Sequence, residues 1–239
     1  MPVRKYERRV KLRTWPSEDW LYSHVAYRFI KGTFQHPVSW ASRLNARGGD
    51  KLPAKGGVIL AVNHLSWADP IVVGASIHRP AFYLAKEGVF NHPVTRWLMH
   101  ATGQIKVDRH KGGNEGAVGT AVELLSEGLV LGVFPEGTRS RPGHVKRGKT
   151  GIARIAALSG APIVPVGCDT GAFWPRGRLL PKLGAPVYVN IGDPFRLDVK
   201  PEDTSDKERM REATDEVMDR IRALYLDAVA AREAGEKWR

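Results

Sequence analysis

A histidine and an aspartate lie five positions apart in the stretch AVNHLSWADP, residues 61–70, which continues the apolar run GGVIL. An imidazole that titrates near neutral pH can take a proton from a hydroxyl, and a neighbouring carboxylate fixes its tautomer and stabilises its charged form. Five residues of regular helix would separate the two side chains by roughly 140°. His64 and Asp69 can therefore meet only if His64 lies on a turn and Asp69 in the first turn of the next helix. Placed so, they would form a general base and its orienting carboxylate.

The same residues also have plainer explanations. Pro70 is typical of the first turn of a helix, so Asp69 is a candidate N-cap and Ser66 is the competing one. His64 would then be an ordinary loop histidine. If Ser66 caps the helix, Asp69 is free to hold His64, whereas capping by Asp69 would exclude the pair.

A second candidate is VFPEGTRS, residues 133–140, where a predicted strand ends in a turn. Gly137 permits close approach of the backbone to a ligand. Arg139 is followed by Lys146, Arg147 and Lys149. Together they could clamp a phosphate, an arginine with two hydrogen bonds and a lysine as a point charge. Glu136 either pairs with one of these bases or accepts a hydrogen bond from a substrate hydroxyl.

A third candidate is TGQIKVDR, residues 102–109, in which a short predicted strand ends at Asp108 and Arg109. Ligands of open α/β sheets bind outside the carboxyl ends of the strands, which places Arg109 well for binding an anion. The alternative is an Asp108–Arg109 surface ion pair, which would contribute little to stability.

The composition favours anionic partners. The chain has 239 residues, with 37 Lys+Arg against 25 Asp+Glu and a formal net charge of +12. Such a surplus suits nucleic acid, phosphorylated molecules or an anionic membrane surface. Cys168 is the one cysteine, which excludes a disulfide within the chain and a cysteine-based metal site. No stretch has the ~18 apolar residues that a membrane-spanning helix needs.

Alternating apolar segments predict the fold from residue 57 onwards. The strand-like runs are GVILAV, AFYLA, QIKV, LVLGVF, PIVPVG and PVYVNI, and helical segments lie between them. Gly128 and Gly160 stand where two of these helices should end. Short apolar strands alternating with helices predict an α/β fold with a largely parallel central sheet covered on both faces.

Three parts are predicted along the chain: a basic, aromatic helical segment over residues 1–50, an α/β core over 51–200, and a long C-terminal helix within 201–239 that packs on the core. The first part mixes Trp15, Trp20 and Trp40 with bases. This mixture suits a helix lying in a lipid interface, or equally a helix that packs its aromatic stripe on the core. Ser205 and Glu208 predict a capping box at the start of the C-terminal helix.

The order and spacing of the motifs resemble the four sequence blocks of the glycerolipid acyltransferase family, typified by 1-acyl-sn-glycerol-3-phosphate acyltransferase. The matching blocks are His-x4-Asp, GQIKVDR, FPEGTRS and APIVPVG. The resemblance extends over residues 50–190, most of the predicted core. Lys106 in the second block departs from the pattern, because the family usually has an apolar residue there.

The resemblance implies an O-acyltransferase of phospholipid biosynthesis. It would move a fatty acyl group from acyl-CoA or acyl-carrier protein to the free hydroxyl of a lysophosphatidate-like acceptor. His64 is then the general base, Asp69 orients it, and Pro165 belongs to a block associated with acyl binding. The implied substrate-binding residues are Arg109, Glu136, Gly137, Arg139 and Lys146.

The resemblance also implies a location and a set of partners. Neither a cofactor nor a metal is expected. Besides the donor and the acceptor, the expected partner is an anionic membrane surface, on which the enzyme would sit peripherally at the cytoplasmic face.

Other functions stay open at this point. A non-catalytic basic domain could bind anionic lipid, with His64 incidental. A metal hydrolase would need a third ligand beside His64 and Asp69, and the sequence offers no convincing one. Nucleic acid is not expected as a partner, because the aromatic residues cluster near the N-terminus instead of on the strands of a stacking platform.

Overall fold

The structure of the protein is a computed structural model that describes residues 37, 40–86, 91, 104–107, 113–141, 143–175, 177, 178 and 180–238. Within these residues the elements run in the order β1 (Leu44–Arg47), β2 (Val58–Val62), α1 (Asp69–Ala75), β3 (Ala81–Lys86), β4 (Gln104–Val107), α2 (Gly113–Ser126), β5 (Val130–Val133), α3 (Gly151–Ser159), β6 (Ile163–Asp169), β7 (Val187–Ile191) and α4 (Lys207–Ala234). Two 3-10 turns, Gly49–Lys51 and Pro201–Ser205, precede β2 and α4.

The strands of the described residues form one seven-stranded sheet in the order β1-β7-β6-β2-β5-β3-β4. All neighbouring strands are parallel except β6 and β7, so the predicted, largely parallel sheet is confirmed. Strand β1 was not predicted, and it lies inside the range assigned to the N-terminal segment. Its sequence, LNAR, is partly exposed because it forms an edge of the sheet, and it therefore lacks the apolar pattern of the central strands.

Helices cover both faces of the sheet, as parallel strands require. Successive strand residues point to opposite faces, and β2 is buried throughout. Leu60 and Val62 of β2 belong to the core beneath α1. Ile59 and Ala61 belong to the opposite core, which contains residues of α2, α3 and α4.

The ends of the helices test the sequence signals directly. Gly160 ends α3 in the left-handed conformation, with φ of 61°, and Gly128 follows α2 with φ of 81°, as predicted. The predicted capping box at Ser205 is wrong. Asp206 is the N-cap of α4, and its carboxylate accepts hydrogen bonds from the N–H groups of Glu208 and Arg209 at 2.9 and 3.0 Å. Aspartate one position later provides the same cap more directly, since a carboxylate is a stronger acceptor than a hydroxyl.

Helix α4 packs directly against the backbone of β6. A Cβ added at Gly167 would lie 2.2 Å from the carbonyl carbon of Leu224, so only glycine allows this close approach. Near the end of α4, Arg232 Nε donates to Asp169 Oδ2 at 2.6 Å, and this hydrogen bond raises the pKa of the arginine. These contacts fix α4 beside the carboxyl end of β6.

Candidate active site

The carboxyl ends of three neighbouring strands meet at one edge of the sheet. Strand β2 lies between β5 and β6 and is parallel to both. The chain leaves these strands at Asn63, Phe134 and Thr170. We refer to this side of the sheet as the carboxyl edge. It is where ligands bind in open α/β sheets.

His64 and Asp69 are in contact at the carboxyl edge. His64 Nδ1 lies 2.7 Å from Asp69 Oδ2. Asp69 is the first residue of α1 and is fully buried, whereas 18% of the His64 side chain is exposed. With Nδ1 held by a carboxylate, the neutral ring carries its proton on that nitrogen and leaves Nε2 as the basic atom. The arrangement therefore has the geometry of a general base and its orienter.

Asp69 also organises the loop before α1. Its Oδ2 accepts hydrogen bonds from the N–H groups of Leu65 and Ser66 at 2.7 and 2.9 Å. Its Oδ1 accepts from the hydroxyl of Ser66 at 3.1 Å and from that of Thr170. Both predicted caps are wrong, because the N-cap is Ala68 and no side chain bonds there. Asp69 reaches back from the first helical position, so it binds the loop and the imidazole at once.

Asn63 fixes the start of this loop to strand β6. Its side-chain oxygen accepts from the Cys168 N–H at 2.7 Å, and its amide donates to the Cys168 carbonyl at 2.9 Å. Cys168 itself is fully buried, and burial raises the pKa of its thiol well above the ordinary value. The thiol therefore stays protonated at neutral pH and is a poor nucleophile. Cys168 therefore serves as a small, packed residue of the core.

A row of aromatic rings supports the imidazole. The His64 ring stacks on Phe134 with the centroids 4.2 Å apart, and Phe134 stacks on Tyr83 at 5.3 Å. Gly132 in β5 makes room for this row, because a Cβ there would lie 2.1 Å from Tyr83 Cε1. The imidazole is thus held in its plane by a carboxylate and packed against an apolar surface.

Glu136 joins the loop of His64 to the loop that follows β5. Its carboxylate is buried, and Oε1 accepts from the His64 N–H at 2.7 Å. Oε2 accepts from the Lys146 N–H at 2.8 Å and from the hydroxyl of Ser140. The Ser140 N–H in turn donates to the His64 carbonyl at 2.7 Å. Both carboxylate oxygens therefore bind donors of the chain itself.

Residues 137–149, which we name the basic loop, present cations next to this junction. The guanidinium of Arg139 lies over the Trp67 ring, with Cζ 4.7 Å from the ring centroid. Lys146 Nζ donates to the Arg139 carbonyl at 2.8 Å. Gly137 has φ of 71°, and a Cβ there would lie 2.8 Å from Lys149 Cε, so the lysine side chain covers the glycine. Lys146 and Lys149 are exposed, and Arg139 is partly so.

Helix α4 supports the basic loop. Tyr225 accepts a hydrogen bond from the Gly143 N–H at 2.8 Å. Arg211 donates to the Gly148 carbonyl at 2.7 Å and pairs with Asp215. The backbone of the loop is thereby held in place, while its cationic side chains extend towards solvent.

The structure brings together every predicted site residue that it describes, and Arg109 lies outside the described residues. Those brought together are His64, Asp69, Glu136, Gly137, Arg139 and Lys146. The contributions of Asn63, Phe134 and Thr170 were not predicted from the sequence. Thr170 carried a usable signal, since it follows the predicted strand PIVPVG at the edge where ligands bind. Among the described residues, no three His, Cys, Asp or Glu side chains group as a metal site would require.

The chain is similar to several acyltransferases. A family model described as Acyltransferase matches residues 43–169. The 1-acyl-sn-glycerol-3-phosphate acyltransferase of Bacillus subtilis is 29% identical over 168 residues, which are 68% of this chain and 82% of that protein. The protein of the same name from Borreliella burgdorferi is 30% identical over 146 residues, and the chain spans 58% of its length.

One solved structure is similar over most of the chain. It is the crystal structure of the 1-acyl-sn-glycerophosphate (LPA) acyltransferase PlsC from Thermotoga maritima, with a TM-score of 0.64 and 25% identity. The match covers 90% of this chain and 81% of that one. The structural similarity therefore extends well beyond the residues that the family model matches.

Proposed function

The chain belongs to the acyltransferase family, whose model matches residues 43–169 and so includes His64, Asp69, Arg139 and Lys146. We therefore propose that it is an O-acyltransferase of phospholipid biosynthesis. The acceptor is the free hydroxyl of a lysophosphatidate-like molecule. The donor is an acyl thioester, either acyl-CoA or acyl-carrier protein. The names of the Bacillus and Borreliella relatives support this acceptor class.

The observation that carries the proposal is the contact between His64 and the buried Asp69 beside exposed cations. As the acceptor oxygen attacks the thioester carbonyl, His64 takes the hydroxyl proton on Nε2, and Asp69 stabilises the imidazolium. A carbon–oxygen bond forms, the carbon–sulfur bond breaks, and the imidazolium returns the proton to the departing thiolate. A positioned general base contributes about 10²–10⁴-fold to such a step.

The reaction needs no nucleophile from the protein. A thioester is already activated, so the difficulty lies in the poor nucleophilicity of the alcohol, which the base relieves. Cys168 is buried, and its raised pKa keeps it as a thiol. A direct transfer without an acyl-enzyme therefore fits the site better than a covalent mechanism.

The cations of the basic loop suit the phosphate of the acceptor. Arg139 can offer two parallel hydrogen bonds, and Lys146 adds a point charge. In this proposal Glu136 and Gly137 contribute by shaping the loop, Glu136 through its bonds to His64 and Lys146. Holding the phosphate would place the hydroxyl near Nε2 and make its attack effectively unimolecular. Arg109 remains a predicted further phosphate ligand.

The acceptor is an amphiphile, so we infer that the enzyme works on an anionic membrane surface, peripherally and at the cytoplasmic face. The formal net charge of +12 supports this attraction, since a well-placed base near such a surface contributes about 1 kcal/mol. Across the described part of the chain, none of the helices is long and apolar enough to cross a membrane.

The test is acyl transfer by purified His64→Ala protein, with lysophosphatidate as acceptor and each thioester in turn as donor. We expect transfer to be abolished, while the circular dichroism spectrum, the Tm and vesicle binding stay as in the wild type. Full activity of the variant would refute the mechanism. Wild-type protein that binds anionic vesicles but transfers no acyl group from either donor would favour the alternative, a non-catalytic basic domain that binds anionic lipid.

A further inference from the structure

Exposed apolar side chains of the described residues gather at the carboxyl edge. The five large ones are Trp40, Trp67, Leu180, Leu183 and Leu226. Trp67 follows β2, and the two leucines at 180 and 183 lie in the connection from β6 to β7. Trp40 precedes β1, whose amino end lies at the same edge because β1 is parallel to β7 and β7 is antiparallel to β6. Four of the five therefore emerge at the edge that holds His64, and only Leu226, on α4, does not belong to this group.

The connection from β6 to β7 is folded on the core. Phe173 is buried and Trp174 packs beside it in the same core cluster. Trp174 Nε1 donates to the Arg178 carbonyl at 3.1 Å, and the Lys182 N–H donates to the Phe173 carbonyl at 2.6 Å. These anchors hold Leu180 and Leu183 outward.

The exposure of the two leucines is large. Leu180 keeps 73% of its surface in solvent and Leu183 keeps 69%. The Gly184 N–H donates to the Ala41 carbonyl at 2.7 Å, which ties this connection to the residue beside Trp40. Leucine and tryptophan on a fixed support form an apolar surface that water solvates poorly.

The charged residues within this connection are all basic. Between Thr170 and Val187 the sequence has three bases and no acid. Arg178 and Lys182, two of these bases, are exposed and alternate with the leucines along the chain. Apolar tips flanked by bases suit the boundary between the headgroups and acyl chains of an anionic bilayer, where leucines enter and bases meet lipid phosphates.

We propose that the described residues of the connection from β6 to β7, namely 173–175, 177, 178 and 180–184, form with Trp40 a membrane-contact loop of the folded core. Leu180 and Leu183 enter an anionic bilayer surface, and the carboxyl edge faces the lipid. The inference rests on the proposed function, because an acceptor embedded in the bilayer must reach His64 from that side. Thr170, which begins the connection, binds Asp69 through its hydroxyl. Docking of the loop therefore sets the His64–Asp69 pair next to the headgroups.

A fluorescent label on the full chain tests the contact without depending on catalysis. Leu180→Cys is labelled with an environment-sensitive dye, and the buried Cys168 of the wild type shows the background labelling. Phosphatidylglycerol vesicles should shift the emission to the blue, and spin-labelled lipid should quench it. Lys55→Cys is the matched control, because this exposed residue precedes β2 at the opposite edge and its label should not respond.

Two outcomes would overturn the proposal. In one, the protein binds the vesicles but the label at residue 180 does not respond. In the other, the label is already in an apolar environment before vesicles are added, which means that another part of the chain or a second copy covers the surface.

An activity measurement separates the contact from the chemistry. The double variant Leu180→Asp/Leu183→Asp should lose about tenfold in kcat/KM on an acceptor embedded in anionic vesicles. It should keep its activity on a short-chain acceptor dissolved as a monomer, and Leu226→Asp should keep both activities. Equal loss on both acceptors, or none on either, would contradict the proposal. If the wild type transfers no acyl group to either acceptor, the proposed function fails, whereas the fluorescence experiment still decides the membrane contact.

Discussion

The loop after β2 and the loop after β5 face each other across the carboxyl edge and are held by different means. The first is fixed by a side chain, since the buried carboxylate of Asp69 accepts five hydrogen bonds. The basic loop is held through its backbone by Glu136, Arg211 and Tyr225. Its side chains Lys146 and Lys149 are exposed, and Arg139 is partly so. A base must stay within hydrogen-bond reach of one hydroxyl, whereas cations can adjust to a phosphate. In the proposed mechanism, the loop with more side-chain hydrogen bonds therefore holds the base, and the loop with adjustable side chains binds the phosphate.

The largest expected effect comes from removing the charge of Asp69 while keeping its hydrogen bonds. In Asp69→Asn the amide oxygen can retain the three N–H donors, and the NH2 group can face the hydroxyls of Ser66 and Thr170, which turn to accept. We expect kcat to fall roughly 10²–10⁴-fold with little change in Tm, because the imidazolium loses its countercharge. Steady-state kinetics and thermal melting check this. A variant with nearly full kcat would show that the fixed carboxylate does not serve proton transfer.

Glu136→Gln should lower the stability of the protein more than its kcat, the opposite of Asp69→Asn. Both oxygens of Glu136 accept backbone N–H groups, from His64 and from Lys146, and these donors cannot turn away. A glutamine amide must therefore face one of them with its own N–H. We expect the free energy of unfolding to fall by about 1–3 kcal/mol, with a smaller loss of kcat than in Asp69→Asn. Denaturant unfolding of both variants measures this. If Asp69→Asn proved the less stable of the two, the two carboxylates would not differ in the way described above.

Arg139→Ala tests whether the basic loop binds the phosphate of the acceptor. The KM for the acceptor should rise about 10- to 100-fold, because a charged group that binds phosphate is lost, while the KM for the donor changes little. Arg139→Lys should recover part of the loss as a point charge. Initial rates over a grid of both substrate concentrations separate the two constants, and equal effects on both would argue against a phosphate clamp.

The smallest expected effect is that of Tyr225→Phe, which leaves the Gly143 N–H without its acceptor on α4. Burial raises the pKa of Tyr225, so the phenol that accepts this bond is neutral at ordinary pH. We expect the KM for the acceptor to rise about two- to threefold with kcat unchanged, in line with one neutral hydrogen bond. The same kinetic grid detects this, and a fall in kcat of similar size would mean that α4 positions the base as well as the loop.

The central sheet and the pairing of His64 with Asp69 could be predicted from the sequence, because both depend on local patterns. Six apolar runs predicted six strands, and the five-residue spacing limited how His64 and Asp69 could meet. Strand β1 was not predicted, because the edge strand LNAR has no apolar pattern. It forms because β7 is available to pair with it. The capping signals also misled, because Asp69 acts one position inside the helix and not at its cap.

The support of the site depended on contacts between distant segments. Thr170 bonds to Asp69 across 101 positions, and Asn63 bonds to Cys168 across 105. These contacts exist because β6 pairs with β2, which no spacing within either motif encodes. Likewise, the link from Gly143 to Tyr225 exists because α4 packs against Gly167 of β6. Such supporting residues can be identified only when the order of the strands in the sheet is known.

The reversal of chain direction at β7 has a mechanical consequence. Because β7 and β1 run against the other strands, the residues that precede β1 join the sheet at the carboxyl edge. In the proposed docking, Trp40 before β1 and the leucines at 180 and 183 would therefore meet a bilayer from the same side. When two weak membrane contacts are part of one protein, binding of the first raises the effective concentration of the second at the lipid. Together they then dissociate far more slowly than either contact alone. If the proposed docking holds, the antiparallel pairing of β6 with β7 is what places Trp40 and the two leucines on one side of the core as a bivalent contact.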